Sequence, residues 1–156
     1  TYCFCEGDSS AVEAVMELAR DIGGRTMSIS TQGKVLYHAA AVMACNYLTA
    51  LMDASVTLCG GAGIDRQTAL AAMGPLAAAT LENVTKLGAA DALTGPIARG
   101  DAQTVARHLE ALGGCDEDLR NFYRIAGKWA LQLAKVQDNH NQAGDDDIAK
   151  LLDSQD

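Results

Sequence analysis

The chain has 156 residues, of which 49% are hydrophobic and only 4% aromatic, and it contains two prolines. This composition provides a core for about one domain and, being rich in Ala and Leu, favours closely packed helices over a β-sandwich. The formal net charge of −8 argues against nucleic-acid binding through phosphate contacts.

Membrane, export and metal-binding signals are not predicted. No stretch reaches the uninterrupted apolar length of a membrane span, and residues 1–6 lack the basic start and apolar run of a signal peptide. The five scattered cysteines include no CxxC pair, which disfavours a zinc site. We therefore expect a cytoplasmic protein with reduced thiols and without a metal, membrane or nucleic-acid partner.

Residues 1–31 are predicted to form one βαβ unit. Strands at 2–6 and 26–30 flank a helix that begins with a capping box of Ser10 and Glu13 and ends at Gly23-Gly24. Two parallel strands do not form a stable sheet, because parallel sheets need several strands covered on both faces. We therefore expect this unit either to complete the sheet of a longer protein or to pair with a partner.

Residues 32–137 are predicted to form a helical domain. Lys34 to Cys59 is apolar nearly all round, which predicts a buried central helix. A second helix runs to about Leu87, with a kink or break at Gly74-Pro75. Three aspartates are predicted N-caps of this helix and of two later ones: Asp65, Asp101 and Asp116.

The last of these helices and the residues after it differ sharply in composition. The helix has one apolar face, formed by Leu119, Phe122, Tyr123, Ala126, Trp129, Ala130 and Leu133. Residues 138–156 are polar and acidic, so we expect a mobile tail apart from a turn of helix around Ile148 to Leu152.

The start of the central helix is the first candidate site. Lys34 and His38 lie four residues apart and share one helical face. A partly desolvated lysine has a lowered pKa that suits proton transfer, and a histidine one turn away can hydrogen-bond the same substrate oxygen. We predict Lys34 and His38 as catalytic residues, although a solvent-reaching lysine and a hydrogen-bonded core histidine fit the same spacing.

The loop from Leu93 to Asp101 is the second candidate site. Its glycines and proline predict a defined shape, and its one cation, Arg99, can hold a carboxylate or phosphate through two parallel hydrogen bonds. We predict Thr94, Gly95 and Arg99 as substrate-binding residues, while an ion pair of Arg99 with a nearby carboxylate is the alternative.

Asn46, in the central helix, is predicted either to bind substrate or to fix a neighbouring loop from a buried position, and His108 is predicted to have a structural role. The chain contains no GxGxxG turn after a strand, P-loop, GxSxG or HExxH motif. We therefore expect no dinucleotide binding by this chain alone.

Several segments resemble one family in their order along the chain. They are FCEGD at 4–8, YHAAA at 37–41, NYL at 46–48 and LTGPIARGD at 93–101, followed by TV at 104–105 and HL at 108–109. From about Phe4 to Leu133, the chain resembles the C-terminal domain of the Rossmann-like proteins catalogued as domain of unknown function 2520. The resemblance implies an NADP-binding domain before this chain, and residues 1–31 as the last piece of its sheet. It also implies a helical homodimerisation domain similar to the C-terminal domains of 6-phosphogluconate dehydrogenase and pyrroline-5-carboxylate reductase.

A more distant similarity bears on the chemistry. In β-hydroxyacid dehydrogenases, a lysine on the first helix of the C-terminal domain assists proton transfer, and an asparagine four residues later binds substrate. Lys34 matches that lysine by position, whereas His38 stands where the asparagine would be. This departure leaves the substrate class open.

The residues and the resemblance together predict a mainly α fold, a 6-phosphogluconate dehydrogenase C-terminal-like bundle preceded by a short βαβ segment. The expected function is that of the substrate-side and dimerisation domain of an NAD(P)-dependent oxidoreductase acting on a small keto or hydroxy acid. NADP or NAD would bind only in the full-length protein, and the chain alone would be inactive. A non-catalytic ligand-binding or oligomerisation module with the same fold is the alternative.

Overall fold

The computed structural model describes residues 1–138 and 140–154. Helices make up 73% of the chain and strands 5%, which confirms a mainly helical fold with a short parallel sheet at its N-terminus. Contacts divide the chain into two compact units, unit 1 at Thr1–Thr57 and unit 2 at Leu58–Asp156. The predicted division at residues 31 and 137 stays a prediction.

Unit 1 begins with the predicted βαβ segment. Strands β1 (Tyr2–Cys5) and β2 (Arg25–Ser28) pair in parallel and flank helix α1 (Ser9–Asp21). The predicted capping box of Ser10 and Glu13 is wrong, because the helix begins one residue before Ser10 and Asp8 is its N-cap. Helix α1 ends before Gly23 as predicted, and Gly23 has a φ of 83°, a conformation that favours glycine.

A long apolar helical segment follows the sheet. It consists of α2 (Thr31–Val42), a π-helical turn (Met43–Tyr47) and α3 (Leu48–Gly61). The predicted burial of this segment is wrong within the single chain, where Val56 is its one buried residue among those described. By length and composition Thr31–Gly61 could cross a membrane, which corrects the expectation that no stretch is long enough.

Unit 2 continues with further helices, three of which begin after the predicted capping residues. They are α4 (Arg66–Leu87), α5 (Ala89–Ala92), α6 (Ala102–Leu112), α7 (Glu117–Ala134), a 3-10 turn (Gln142–Gly144) and α8 (Asp145–Asp153). The side chains of Asp65, Asp101 and Asp116 each accept hydrogen bonds from backbone amides of the helix that follows, so all three predicted caps are confirmed. Helix α4 continues through Pro75 without a break.

The core of unit 2 is formed by α6, α7 and α8. Val105, Leu131, Ile148 and Leu152 are each at most 5% exposed and contact one another. Helix α8 confirms the turn of helix expected around Ile148 to Leu152 and extends beyond it, and its two aliphatic side chains complete this core.

The buried face of α7 also differs from the prediction. Its buried residues are Gly127, Leu131 and Ala134, whereas Trp129 is 70% exposed. The difference arises because α8 packs on this face, and a Cβ at Gly127 would lie 2.8 Å from the Leu152 side chain.

Residues that follow α7 also fix the position of the Leu93–Asp101 loop through hydrogen bonds. The Gln137 side chain donates hydrogen bonds to the carbonyls of Ala90 and Leu93, at 2.7 and 2.9 Å, and Asn141 donates to the carbonyl of Arg99 at 3.2 Å. Gly144 lies so close to Gly100 that a Cβ on Gly144 would overlap the Gly100 carbonyl. Both ends of the loop are thus fixed by residues that come after α7.

We predict that Gly144→Ala lowers the free energy of unfolding by about 1–3 kcal/mol, because the added methyl must displace the Gly100 backbone. Gly114→Ala is the matched control, since nothing lies within 4 Å of a Cβ there. Urea denaturation of both variants measures the difference. Equal stability of the two would contradict the close contact of Gly144 with the loop.

Candidate functional site

A cavity of about 490 Å³ in unit 1 lies at the carboxyl end of β1. Its walls include Glu6 after β1, Ile29 after β2, and Lys34 and His38 from the first turns of α2. The carboxyl ends of parallel strands are where ligands bind in open α/β sheets. The βαβ segment therefore places the first candidate site at the usual ligand-binding edge.

Glu6 is the centre of the polar contacts in this cavity. Lys34 Nζ donates to Glu6 Oε2 at 2.9 Å, and Thr31 Oγ1 donates to the other carboxylate oxygen. The hydrogen bond from Thr31, followed by that from Lys34, lowers the pKa of Glu6 below its usual value of 4.5. The prediction of site residues missed Glu6, although an acidic residue directly after a strand was a visible signal.

The local sequence explains how Lys34 reaches Glu6. The Ser30 hydroxyl accepts a hydrogen bond from the Gly33 amide at 3.0 Å and caps α2. A Cβ at Gly33 would lie 2.9 Å from the Ile29 side chain. Gly33 therefore lets α2 begin directly beside the end of β2, with Lys34 next in the chain.

Lys34 and His38 both line the cavity, as their shared helical face predicts. The side chain of Lys34 is 65% exposed, so the expected desolvation of this lysine is not seen in the single chain. His38 is exposed and is not a buried core residue. Tyr37, which lies between Lys34 and His38 in the sequence, packs its ring on Phe4 with the ring centroids 4.3 Å apart. This contact holds α2 against β1. The catalytic roles of Lys34 and His38 stay predictions.

Asn46 lies in the π-helical turn and is exposed, which corrects its expected burial. Single π-turns within α-helices are rare and occur frequently at functional sites. The role of Asn46 in substrate binding stays a prediction, and the π-helical turn supports it.

The predicted substrate-binding residues of the loop lie in unit 2, and their roles stay predictions. Thr94 is exposed and lines a cavity of about 330 Å³. Gly95 has a φ of 98°, a conformation that favours glycine, and the Arg99 side chain is exposed.

Hydrogen bonds from Thr104 are the main cause of the lowered pKa of Asp101, and the charges of Arg107 and Arg99 add to it. Asp101 therefore acts as a helix cap.

The comparisons with known proteins identify the family. A family model described as "Domain of unknown function (DUF2520)" matches residues 1–129. The chain belongs to this family. The matched range contains all six predicted site residues together with Glu6 and Thr31, and ends before α8.

One solved structure is similar to this member of the DUF2520 family. It is the crystal structure of protein TM1727 from Thermotoga maritima, with 28% sequence identity and a TM-score of 0.72. The match covers 86% of this chain and 53% of that chain, so this chain spans about half the length of TM1727. No curated protein matches the chain.

We predict that Glu6→Gln lowers the melting temperature slightly at neutral pH, because it removes the carboxylate that accepts from Lys34 and Thr31. Since folding lowers the pKa of Glu6, its stabilising effect is present above pH 4.5 and is lost as the pH falls through the folded pKa. Melting curves of both proteins from pH 7 downwards should converge below pH 4.5. A constant difference across that range would contradict the carboxylate's role.

Proposed function

We propose that this chain is the substrate-side and dimerisation domain of an NAD(P)-dependent oxidoreductase that acts on a small keto or hydroxy acid. The supporting observation is the Lys34 ammonium group, 2.9 Å from Glu6 in a cavity at the carboxyl edge of two parallel strands. An ammonium group placed there can donate to a substrate oxygen on which negative charge develops.

The proposed roles follow from the donors that each side chain offers. Lys34 has three N–H donors, of which Glu6 accepts one, so the others are available to a carbonyl or hydroxyl oxygen. His38, one turn further on, would hydrogen-bond the same oxygen. Asn46, Thr94, Gly95 and Arg99 stay the predicted substrate-binding residues, and a guanidinium such as that of Arg99 can hold a carboxylate through two parallel hydrogen bonds.

The described residues do not fit the pyrophosphate of a dinucleotide. The turn between β1 and α1 has a single glycine, Gly7, and the N-cap of α1 is the acidic Asp8, whose charge is of the same sign as a phosphate. A dinucleotide-binding turn needs several glycines for the close approach of the backbone to the phosphates. We therefore assign NADP or NAD to a separate nucleotide-binding domain and no step of its chemistry to this chain.

We predict that Lys34→Met lowers turnover by about 10²-fold or more, the usual effect of losing a general acid or base. The assay is hydride transfer by the whole protein, including its nucleotide-binding domain, with a panel of small keto and hydroxy acids. Lys86→Met is the matched control, because Lys86 pairs with Glu82 on the exposed surface of α4.

Two outcomes would contradict the proposed catalytic role. Lys34→Met could retain normal turnover, or the wild-type protein could bind a panel member without transferring hydride. The second result would favour the non-catalytic ligand-binding module.

The proposal includes a homodimer formed through the helical segment Thr31–Gly61. Large apolar side chains on it are widely exposed in the single chain, among them Val35 at 68%, Leu36 at 73% and Met43 at 63%. Contiguous apolar surface of this kind is rare on soluble monomers and is typical of an interaction face. A second copy would cover it with an equally apolar surface.

We predict that Leu51→Glu on α3 weakens dimerisation by about 100-fold or more, because it places an unpaired carboxylate in the apolar interface. Leu18→Glu on α1 is the control, since Leu18 is also exposed but lies outside the helical segment. Analytical ultracentrifugation at tens of micromolar measures the mass. A monomeric wild-type protein would contradict the dimer. If that monomer co-sediments with phosphatidylcholine vesicles, a membrane and not a second copy buries the apolar surface of the segment.

A further inference from the structure

We propose that unit 2 contains a second small-molecule site, the cavity of about 330 Å³ between the Leu93–Ile97 part of the loop and helices α6 and α7. Its ligand would be a short-chain carboxylate or other carbonyl compound with an aliphatic body, bound through His108 and Tyr123. The site goes beyond the proposed function. It shares only Thr94 with the residues named there, and it needs neither a cofactor nor Lys34.

His108 and Tyr123 form a directly hydrogen-bonded pair in the wall of this cavity. His108 Nδ1 and the Tyr123 hydroxyl are 2.8 Å apart, and the two rings meet edge to face with centroids 6.0 Å apart. Burial raises the pKa of Tyr123, so its phenol stays protonated at neutral pH.

The donors of this pair can be counted. A neutral histidine brings one N–H and the tyrosine one O–H, and the bond between them uses one of these two donors. Whichever tautomer is present, one donor is left over, and a protonated histidine adds another. The pair therefore offers a hydrogen bond to an acceptor oxygen.

The other walls of the cavity favour an apolar ligand body. Pro96, Ile97, Ala126 and Ala130 contribute aliphatic surface, and Thr94 adds one hydroxyl. Among the described residues that line it, none is acidic, so an ammonium group would find no carboxylate partner. The volume is at the lower end of the range for small-molecule pockets.

The walls are fixed by contacts that do not involve a ligand. The Gln137 side chain donates a hydrogen bond to the carbonyl of Leu93, and the Leu152 side chain packs against α7 at Gly127. A cavity whose walls are already ordered loses little conformational entropy when a ligand binds.

His108 and Tyr123 also line a second cavity of about 640 Å³, together with Ala111 and Cys115. We assign the ligand to the smaller cavity, because Thr94 there supplies a second hydrogen-bonding group beside the pair. The two locations are distinguished by which backbone amides respond to the ligand.

The test is a titration of the 156-residue chain, followed by amide chemical shifts in NMR spectra, with isocaproate, isocaproamide and isohexylamine. We expect isocaproate and isocaproamide to shift Thr94, Ile97 and Ala126, and the amine to have no effect. Tyr123→Phe should raise the Kd about tenfold, the effect of losing one hydrogen bond.

Two matched substitutions distinguish loss of binding caused by a side chain inside the cavity from loss caused by a destabilised fold. Ala126→Leu should abolish binding by occupying the cavity, whereas Ala78→Leu, on the exposed surface of α4, should leave it unchanged. Lys34→Met should also bind normally, which keeps this test independent of the proposed reaction.

Four results would overturn the proposal. They are no shifts at tens of millimolar, shifts centred on Ala111 and Cys115, equal binding of the amine, and unchanged affinity in Ala126→Leu.

Discussion

The packing of α8 against α6 and α7 is the contact on which unit 2 depends. Ile148 and Leu152 are at most 1% exposed, and burying an aliphatic side chain of this size stabilises a fold by about 1.5–3 kcal/mol. The same helix brings Gly144 against Gly100, at the end of the loop that carries Thr94 and Arg99. The shape of this loop therefore depends on hydrophobic burial far along the chain as well as on its own glycines and proline.

The ion pair of Glu6 and Lys34 has a different physical role. Lys34 is 65% exposed, and an ion pair with one such partner contributes little to stability because water screens it. Its main effect is to orient the ammonium group, since a charge-assisted hydrogen bond restricts where Nζ can lie. Thr31 orients the carboxylate in turn. A chain of hydrogen bonds thus connects the end of β1 to the first turn of α2 and keeps Lys34 in the cavity.

Features set by neighbouring residues could be predicted from the sequence, and features set by distant contacts could not. The caps Asp65, Asp101 and Asp116 are local signals, whereas Ser10 failed because Asp8, two residues earlier, is the N-cap. Helix α8 has nine residues, which is too short to be stable alone, so its full length depends on packing that composition does not reveal. Glu6 was missed because an acidic residue at the end of a strand does not by itself show that Lys34 and Thr31, far along the chain, will contact it.

The apolar helical segment shows most clearly what a pattern can predict. Apolar residues all round a helix predict burial, but the hydrophobic effect depends only on the area removed from water and is indifferent to which molecule removes it. The pattern therefore could not distinguish burial within the chain from burial against a second copy. Asn46, which is exposed in the single chain, would need a hydrogen-bonding partner wherever a second copy covers this segment. In the proposed function that partner is the substrate, so the same asparagine would connect the covered helical segment to the binding site.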